Sequence, residues 1–168
     1  MANKGTVRIE GAAELSAMLN AIPQELRKDI MTTALRSAAS PLVKAAKAMA
    51  VTSVDTGALR KSIGFVVRKY KSGVNAVAVV GPRRGYYRNG RKLGTKASRK
   101  GADSPAKYAH LVEHGHVSRN GSFVAGHPFL RPAVAVAGSQ VKNALIKGVG
   151  KGIEKVRAKL IKRGIHKA

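Results

Sequence analysis

Apolar positions change their spacing several times along the chain, and each change predicts an element. Residues 5 to 10 (GTVRIE) alternate as a short strand, after which Leu15, Met18, Leu19 and Ile22 recur at helical spacing. Pro23 closes that helix and can open the next as a first-turn proline. Leu26, Ile30, Thr33, Ala34, Ser37, Ala38, Leu42 and Val43 form one stripe, which Ala45, Ala46, Ala48, Met49 and Ala50 extend, so a long helix is expected to about Val51. Pro41 predicts a kink in it. The alternative is two helices broken at Ser40, because the residue before proline is steered away from helical angles. Asp55 or Thr56 can cap one or two further turns that carry Leu59 and Ile63 on one face. At Gly64 the spacing becomes alternate, and residues 65 to 70 and 74 to 80 read as two strands of a hairpin joined by Lys71-Ser72-Gly73.

Two more helices follow. A short amphipathic one ends at His114, with Tyr108, Leu111 and Val112 inward, its polar residues outward and Gly115 as its stop. From Val134 to Arg163 the helical spacing resumes, with Val141, Leu145, Val149, Ile153, Val156 and Leu160 on one face and a ridge of Lys147, Lys151, Lys155 and Lys159 elsewhere. Gly138, Gly148, Gly150 and Gly152 weaken this helix by up to about 1 kcal/mol each relative to alanine, so packing must supply the rest of its stability.

Composition narrows what such a chain does. With 168 residues it fits one domain, or one domain with extensions. Much of the hydrophobic share is alanine and tryptophan is absent, so the core is thin and suits a subunit that completes its burial against copies of itself. Without cysteine, neither disulfides nor thiolate metal sites contribute. No signal-peptide pattern opens the chain and no apolar run is long enough for a membrane span, which leads us to expect a soluble protein. The net charge of +24 works against compactness in a free monomer and calls for polyanions or acidic proteins as partners.

That charge is concentrated between Pro82 and Pro105, where Arg83, Arg84, Arg88, Arg91, Lys92, Lys96, Arg99 and Lys100 appear with no acid before Asp103. The segment reads as a basic insertion loop, ordered only by a partner or solvated. Tyr86 and Tyr87 beside these arginines make it a candidate nucleic-acid arm, since arginine grips phosphates and tyrosine stacks on exposed bases. The lysine ridge of the last helix is a second candidate contact for DNA or for an acidic protein.

Catalysis has one candidate, His110-Leu-Val-Glu-His114, an H-x-x-E-H pattern that sets two imidazoles one turn apart with Glu113 as a possible base. Gly115 follows at once and leaves His114 on a terminal turn. A zinc hydrolase also needs a third protein ligand; the only downstream carboxylate is Glu154, in a basic segment, while His116 and His127 lie in a glycine-bearing loop. Short His/Glu patterns recur by accident, so the amphipathic-helix reading is preferred, with no catalytic, metal or cofactor site. Further on, Pro128-Phe129-Leu130-Arg131-Pro132 fixes φ at two places and presents Phe129 and Leu130 together, to plug either this domain's own core or a neighbour's groove.

Four segments in order, Ala45 to Met49, Asp55 to Ile63, Tyr108 to Gly115 and Pro128 to Ala133, resemble the small tail-component proteins of long-tailed bacteriophages, of the HK-ninety-seven gene-ten-product type. The chain departs from that pattern at Val51-Thr52-Ser53-Val54, where a proline is usual, and at Glu113-His114-Gly115-His116, where an aromatic residue usually follows the glutamate; under this resemblance the H-x-x-E-H pattern is incidental. The resemblance implies a single α+β domain over residues 1–145, in which a long N-terminal helix and a C-terminal helix pack on a small, mostly antiparallel sheet, followed by a basic helical extension over 146–168. It implies no enzyme activity. It implies instead a virion protein of the phage neck, made in the host cytoplasm, joining or completing the head-tail interface as a ring of six or twelve copies, through which double-stranded DNA passes, between the head connector and the tail terminator. By the same resemblance Thr56, Gly57, Leu59 and Arg60 shape the turn from helix to sheet, Tyr108, Glu113 and Gly115 hold the short helix, and Pro128, Phe129, Arg131 and Pro132 set the angle of the last one.

A magnitude bears on whether the charge means DNA. Duplex DNA carries one charge per about 1.7 Å, so a ring roughly 40 Å tall surrounds only about 24 phosphates. One subunit already matches that number, so in a ring most lysines and arginines must meet solvent, counterions or acidic neighbours. The competing expectation is a nucleic-acid-binding protein that uses the Arg83 to Lys100 arm and the lysine ridge.

Overall fold

The structure, a computed structural model, describes residues 23–50, 57–70, 76–84 and 104–162. The expected strand at 5 to 10, the helix at 11 to 22, Asp55, Thr56, the 71–73 turn and the basic loop beyond Arg84 lie outside the described residues. The fold is α+β. In chain order it runs α1 (Gln24–Met49), α2 (Ala58–Ser62), β1 (Ile63–Lys69), β2 (Ala76–Pro82), α3 (Pro105–His114), β3 (His116–Val117), β4 (Phe123–Val124) and α4 (Leu130–Lys162). β1 pairs with β2 in one two-stranded sheet, and β3 pairs antiparallel with β4 in another, His116 opposite Val124 and Val117 opposite Phe123.

The long helix is continuous through Pro41, so the alternative of a break at Ser40 is not adopted. Proline inside a helix costs about 3 kcal/mol through its missing N–H and its ring. Burial on both sides offsets that cost: Ala38 and Ala39 just before it and Ala46 one turn beyond are all sealed from solvent. The first strand begins two residues before and ends one residue before the expected bounds, because Ile63 turns to an extended conformation directly after α2, and the second begins and ends two residues later than expected. Gly57, not Asp55 or Thr56, occupies the cap position of α2. Its φ of 65° is left-handed, and it contributes no side-chain cap; its carbonyl accepts the Lys61 N–H at 3.0 Å.

Contacts divide the chain into two compact units, one of Met1–Ala38, Val67–Val77 and Gly138–Ala168, the other of Ala39–Val66 and Ala78–Ala137. In the first, Ile30 and Val156 form a small core with Leu26, Met31, Val149 and Leu160 around them. Here α1 and α4 touch backbone to backbone. A Cβ on Gly148 would lie 2.7 Å from Ala34 Cα, and one on Gly152 would lie 2.8 Å from Ile30 Cα. Of the four glycines that the helical spacing marks as weak points, Gly138 and Gly150 meet open space, while Gly148 and Gly152 are the points of closest approach. Their surface, with Val156, takes the inward side, and this corrects the expected stripe at Ile153, which is exposed. The Lys159 ammonium donates to Asp29 at 3.0 Å at the margin of the same contact.

In the second unit, Ala46, Ala50, Leu59, Ile63, Ala109, Phe129 and Ala133 make the core, with Leu42, Val43, Met49, Tyr108, Val112 and Leu130 packed around it. Small residues on the helices let Phe129, fully buried, stand at its centre.

Candidate functional site

The most specific polar arrangement in the second unit joins α3 to the start of α4. α3 opens on Pro105, whose fixed φ and missing N–H suit a first turn, and closes at Gly115, whose N–H donates to the Leu111 carbonyl at 2.8 Å. Two residues before Gly115, the Glu113 carboxylate faces inward, correcting the expectation that the polar residues of this helix point to solvent. Its Oε2 accepts the N–H groups of Phe129 at 2.8 Å and Leu130 at 3.0 Å, and its Oε1 accepts that of Arg131 at 3.1 Å.

The chemistry of a helix start explains this demand. The first four N–H groups of a helix have no intrahelical acceptor. In α4 they fall on Phe129, Leu130, Arg131 and Pro132; proline has no N–H, and Glu113 takes the other three. A negative charge there also meets the positive end of the helix dipole. Burial raises the Glu113 pKa, but the N–H groups of Leu130, Phe129 and Arg131, with nearby His114, lower it further, so the carboxyl sits below its ordinary value of 4.5.

The loop between the two helices is held by its own glycines. The His127 N–H donates to the Val112 carbonyl at 2.7 Å. Gly115, at φ 79°, and Gly126 meet face to face: a Cβ on Gly115 would lie 2.6 Å from the Val124 carbonyl oxygen, and one on Gly126 would lie 2.6 Å from the Gly115 nitrogen. A side chain at either position would push β3 and β4 away from the end of α3. Between them, the hairpin turn is closed by Ser118 N–H to the Ser122 carbonyl at 2.8 Å and by Asn120 Oδ1, which accepts Ser118 Oγ at 2.6 Å and the Ser122 N–H at 3.2 Å.

Of the residues the sequence singles out, Tyr108, Glu113, Gly115, Phe129 and Arg131 thus come together, with Leu59 in the same core, and Pro132 lies half-buried in the first turn of α4. Phe129 plugs its own core, which decides between the two roles open to it. Pro128 and Arg60 are exposed, and Arg131 reaches His114, Nη2 to Nδ1, at 3.5 Å. Arg83 donates its N–H to the Ser62 carbonyl at 2.9 Å and lays its guanidinium over Gly64; Arg84 is exposed. Arg88, Arg91 and Lys92 lie outside the described residues. Lys147, Lys151 and Lys155 are exposed on α4, whereas Lys159 is paired with Asp29. Gly126, Gly148 and Gly152 are the contributors that spacing arguments miss, because backbone proximity leaves no periodic signal.

The arrangement does not suit hydrolysis. Both oxygens of Glu113 are engaged by backbone donors, so the group in the base position of H-x-x-E-H has its lone pairs directed at a helix end, while His110 and His114 are exposed. Among the described residues no three His, Asp or Glu side chains gather within reach of one metal ion, and no helix is long and apolar enough to cross a membrane.

Neither a curated protein nor a solved structure matches the chain. Residues 13–115 match the family model described as "Bacteriophage HK97-gp10, putative tail-component". That range takes in α1, α2, β1, β2 and α3 and ends on the glycine that stops α3, so it contains Glu113, whose carboxylate clamps the start of α4, and leaves out the helix end that it clamps. Since the match covers more than half of the 168 residues, the chain belongs to this family of phage tail-component structural proteins.

Proposed function

We propose that the protein is a structural subunit of the phage neck, which joins or completes the head-tail interface as a ring of copies through which double-stranded DNA passes. The observation that carries this reading is the family match over residues 13–115. The thin, alanine-rich core supports it, since a subunit of this kind gains burial against its neighbours. On this reading Gly57, Leu59, Tyr108, Glu113, Gly115, Phe129 and Pro132 keep the unit in the shape that assembles, and they act on no substrate. Arg83, Arg84, Lys147, Lys151 and Lys155 meet DNA or the acidic surfaces of connector and terminator proteins, most of them the latter. Phage made without the protein should accumulate full heads and separate tails. Adding the purified protein to such a lysate should restore joined, infectious particles, and finding normal joined particles in its absence overturns the proposal.

A second reading, binding to free nucleic acid, draws on the exposed Lys147, Lys151 and Lys155 of α4. It requires a monomer that binds duplex DNA with a steep dependence on salt, the log of the binding constant falling by about 0.9 per phosphate neutralised for each tenfold rise in salt. A shallow slope with weak binding removes it.

A further inference from the structure

Gly148 and Gly152 are explained by the helix they touch, but Gly150, between them in sequence, faces away from it. A Cβ on Gly150 would meet nothing within 4 Å, yet glycine weakens a helix relative to alanine. A flat position on an exposed helix is of use where another backbone comes close. Its neighbours on the same side support that use. Ile146, Gly150, Ile153, Arg157 and Ile161 follow one another in steps of three or four residues and so share one face of α4. All are exposed, Ile146 by 58% and both Ile153 and Ile161 by 46%. Beside this seam runs a second exposed stripe of Lys147, Lys151, Glu154 and Lys162.

The chemistry of the two stripes selects what covers them. An apolar seam with a glycine at a crossing point and charges along one flank is the surface that receives an amphipathic helix, and flanking lysines match a helix whose own flank is acidic. Duplex DNA fits poorly, because phosphates gain nothing from the isoleucines and are repelled by Glu154. A lipid surface would draw Arg157 and Glu154 in with the isoleucines, where a protein can pair them. The same seam on a second copy would oppose Arg157 and three lysines to their counterparts, with one glutamate on each side to offset them. Elsewhere in the chain Asp29 is held by Lys159 and Glu113 by the start of α4.

We infer that the outer face of α4, centred on Gly150, docks an acidic amphipathic helix of a different virion protein. The inference rests on the neck reading of the function and specifies one face and the partner chemistry it takes. Two synthetic helical peptides test it by fluorescence anisotropy on the full chain. Both carry leucines in steps of three and four residues, one with glutamates beside them and the other with lysines. The glutamate peptide should bind at least about tenfold more tightly than the lysine peptide. Gly150→Leu should weaken that binding at least about tenfold while raising the melting temperature, which separates docking from folding. Ile153→Ser should weaken it similarly, and Lys147→Glu with Lys151→Glu should turn the preference toward the lysine peptide. Absence of a preference, or binding that ignores both Gly150→Leu and Ile153→Ser, overturns the inference. So does a short DNA duplex, a phosphatidylglycerol vesicle or a second copy that binds more tightly than the peptide and is lost in Gly150→Leu. Any of these results with head-tail joining still dependent on the protein leaves the neck reading standing, whereas joining that proceeds without the protein overturns that reading.

Discussion

Removing the Glu113 carboxylate should be the most damaging single polar change in the second unit. In Glu113→Ala the N–H groups of Phe129, Leu130 and Arg131 lose their acceptor together. An unsatisfied buried donor costs about 1–3 kcal/mol. Phe129 lies in the buried core, while water reaches the part-buried Leu130 and Arg131 and recovers some of their loss. The total is about 3–5 kcal/mol, or a fall in melting temperature of about 6–20 °C for a chain of this size. Glu113→Gln keeps one oxygen for two of the donors but turns an amide NH2 toward the third, and should lose about half as much. The pH dependence follows from the sign of the shift. Because the folded-state pKa lies below the unfolded value of 4.5, the carboxylate's contribution is full above that pH and is lost as pH falls through the folded pKa. Urea unfolding followed by circular dichroism from pH 7 to pH 3 should therefore show the stability gap between wild type and Glu113→Gln constant down to about pH 5 and shrinking below it. A gap under about 1 kcal/mol for Glu113→Ala at pH 7, or one that keeps its size to pH 3, refutes the clamp.

The glycines give opposite expectations along one helix. Gly148→Ala and Gly152→Ala drive a methyl into the α1 backbone and should destabilise by about 1–3 kcal/mol despite their better helix propensity, whereas Gly150→Ala, which meets open space, should stabilise by up to about 1 kcal/mol in the same thermal melts. Gly115→Ala combines a left-handed φ with contact against the Val124 carbonyl, and should cost at least about 2 kcal/mol and displace the Phe123 and Val124 amide resonances; a neutral result removes the close approach of hairpin and helix. At the surface, the Lys159 hydrogen bond lowers the pKa of Asp29 against a smaller effect of burial. Its contribution is present above the ordinary aspartate value and lost as pH falls through the folded one, so Asp29→Asn should cost less than about 1 kcal/mol at neutral pH, and less still in high salt, by urea titration.

Periodic spacing found the elements because it reports which side of a helix or strand avoids water. The long helix through Pro41, the hairpin after Gly64, the stop at Gly115 and the last helix all carry such a signal. Ile153 shows where the signal misleads, since a side chain on the apolar stripe stays outside when flat glycine surfaces bring the neighbouring backbone too close to admit it. Glu113 shows a different failure. A carboxylate one residue from a histidine and two from a glycine reads as a solvated group or a metal-site base, and nothing nearby in sequence reveals that its partners are the amides of Phe129, Leu130 and Arg131, sixteen to eighteen residues onward.

Alone, the order of residues determined the family resemblance, the α+β class that the resemblance implies, and the basic, cysteine-free composition, because these depend on short local motifs and on residue content. Tertiary structure decided that Phe129 fills its own unit, that Glu113 supplies the missing acceptor for the last helix, and that Phe123 stays in solvent. Those outcomes depend on which distant backbone groups meet, and a hydrogen bond or a close contact between distant segments has no period along a chain.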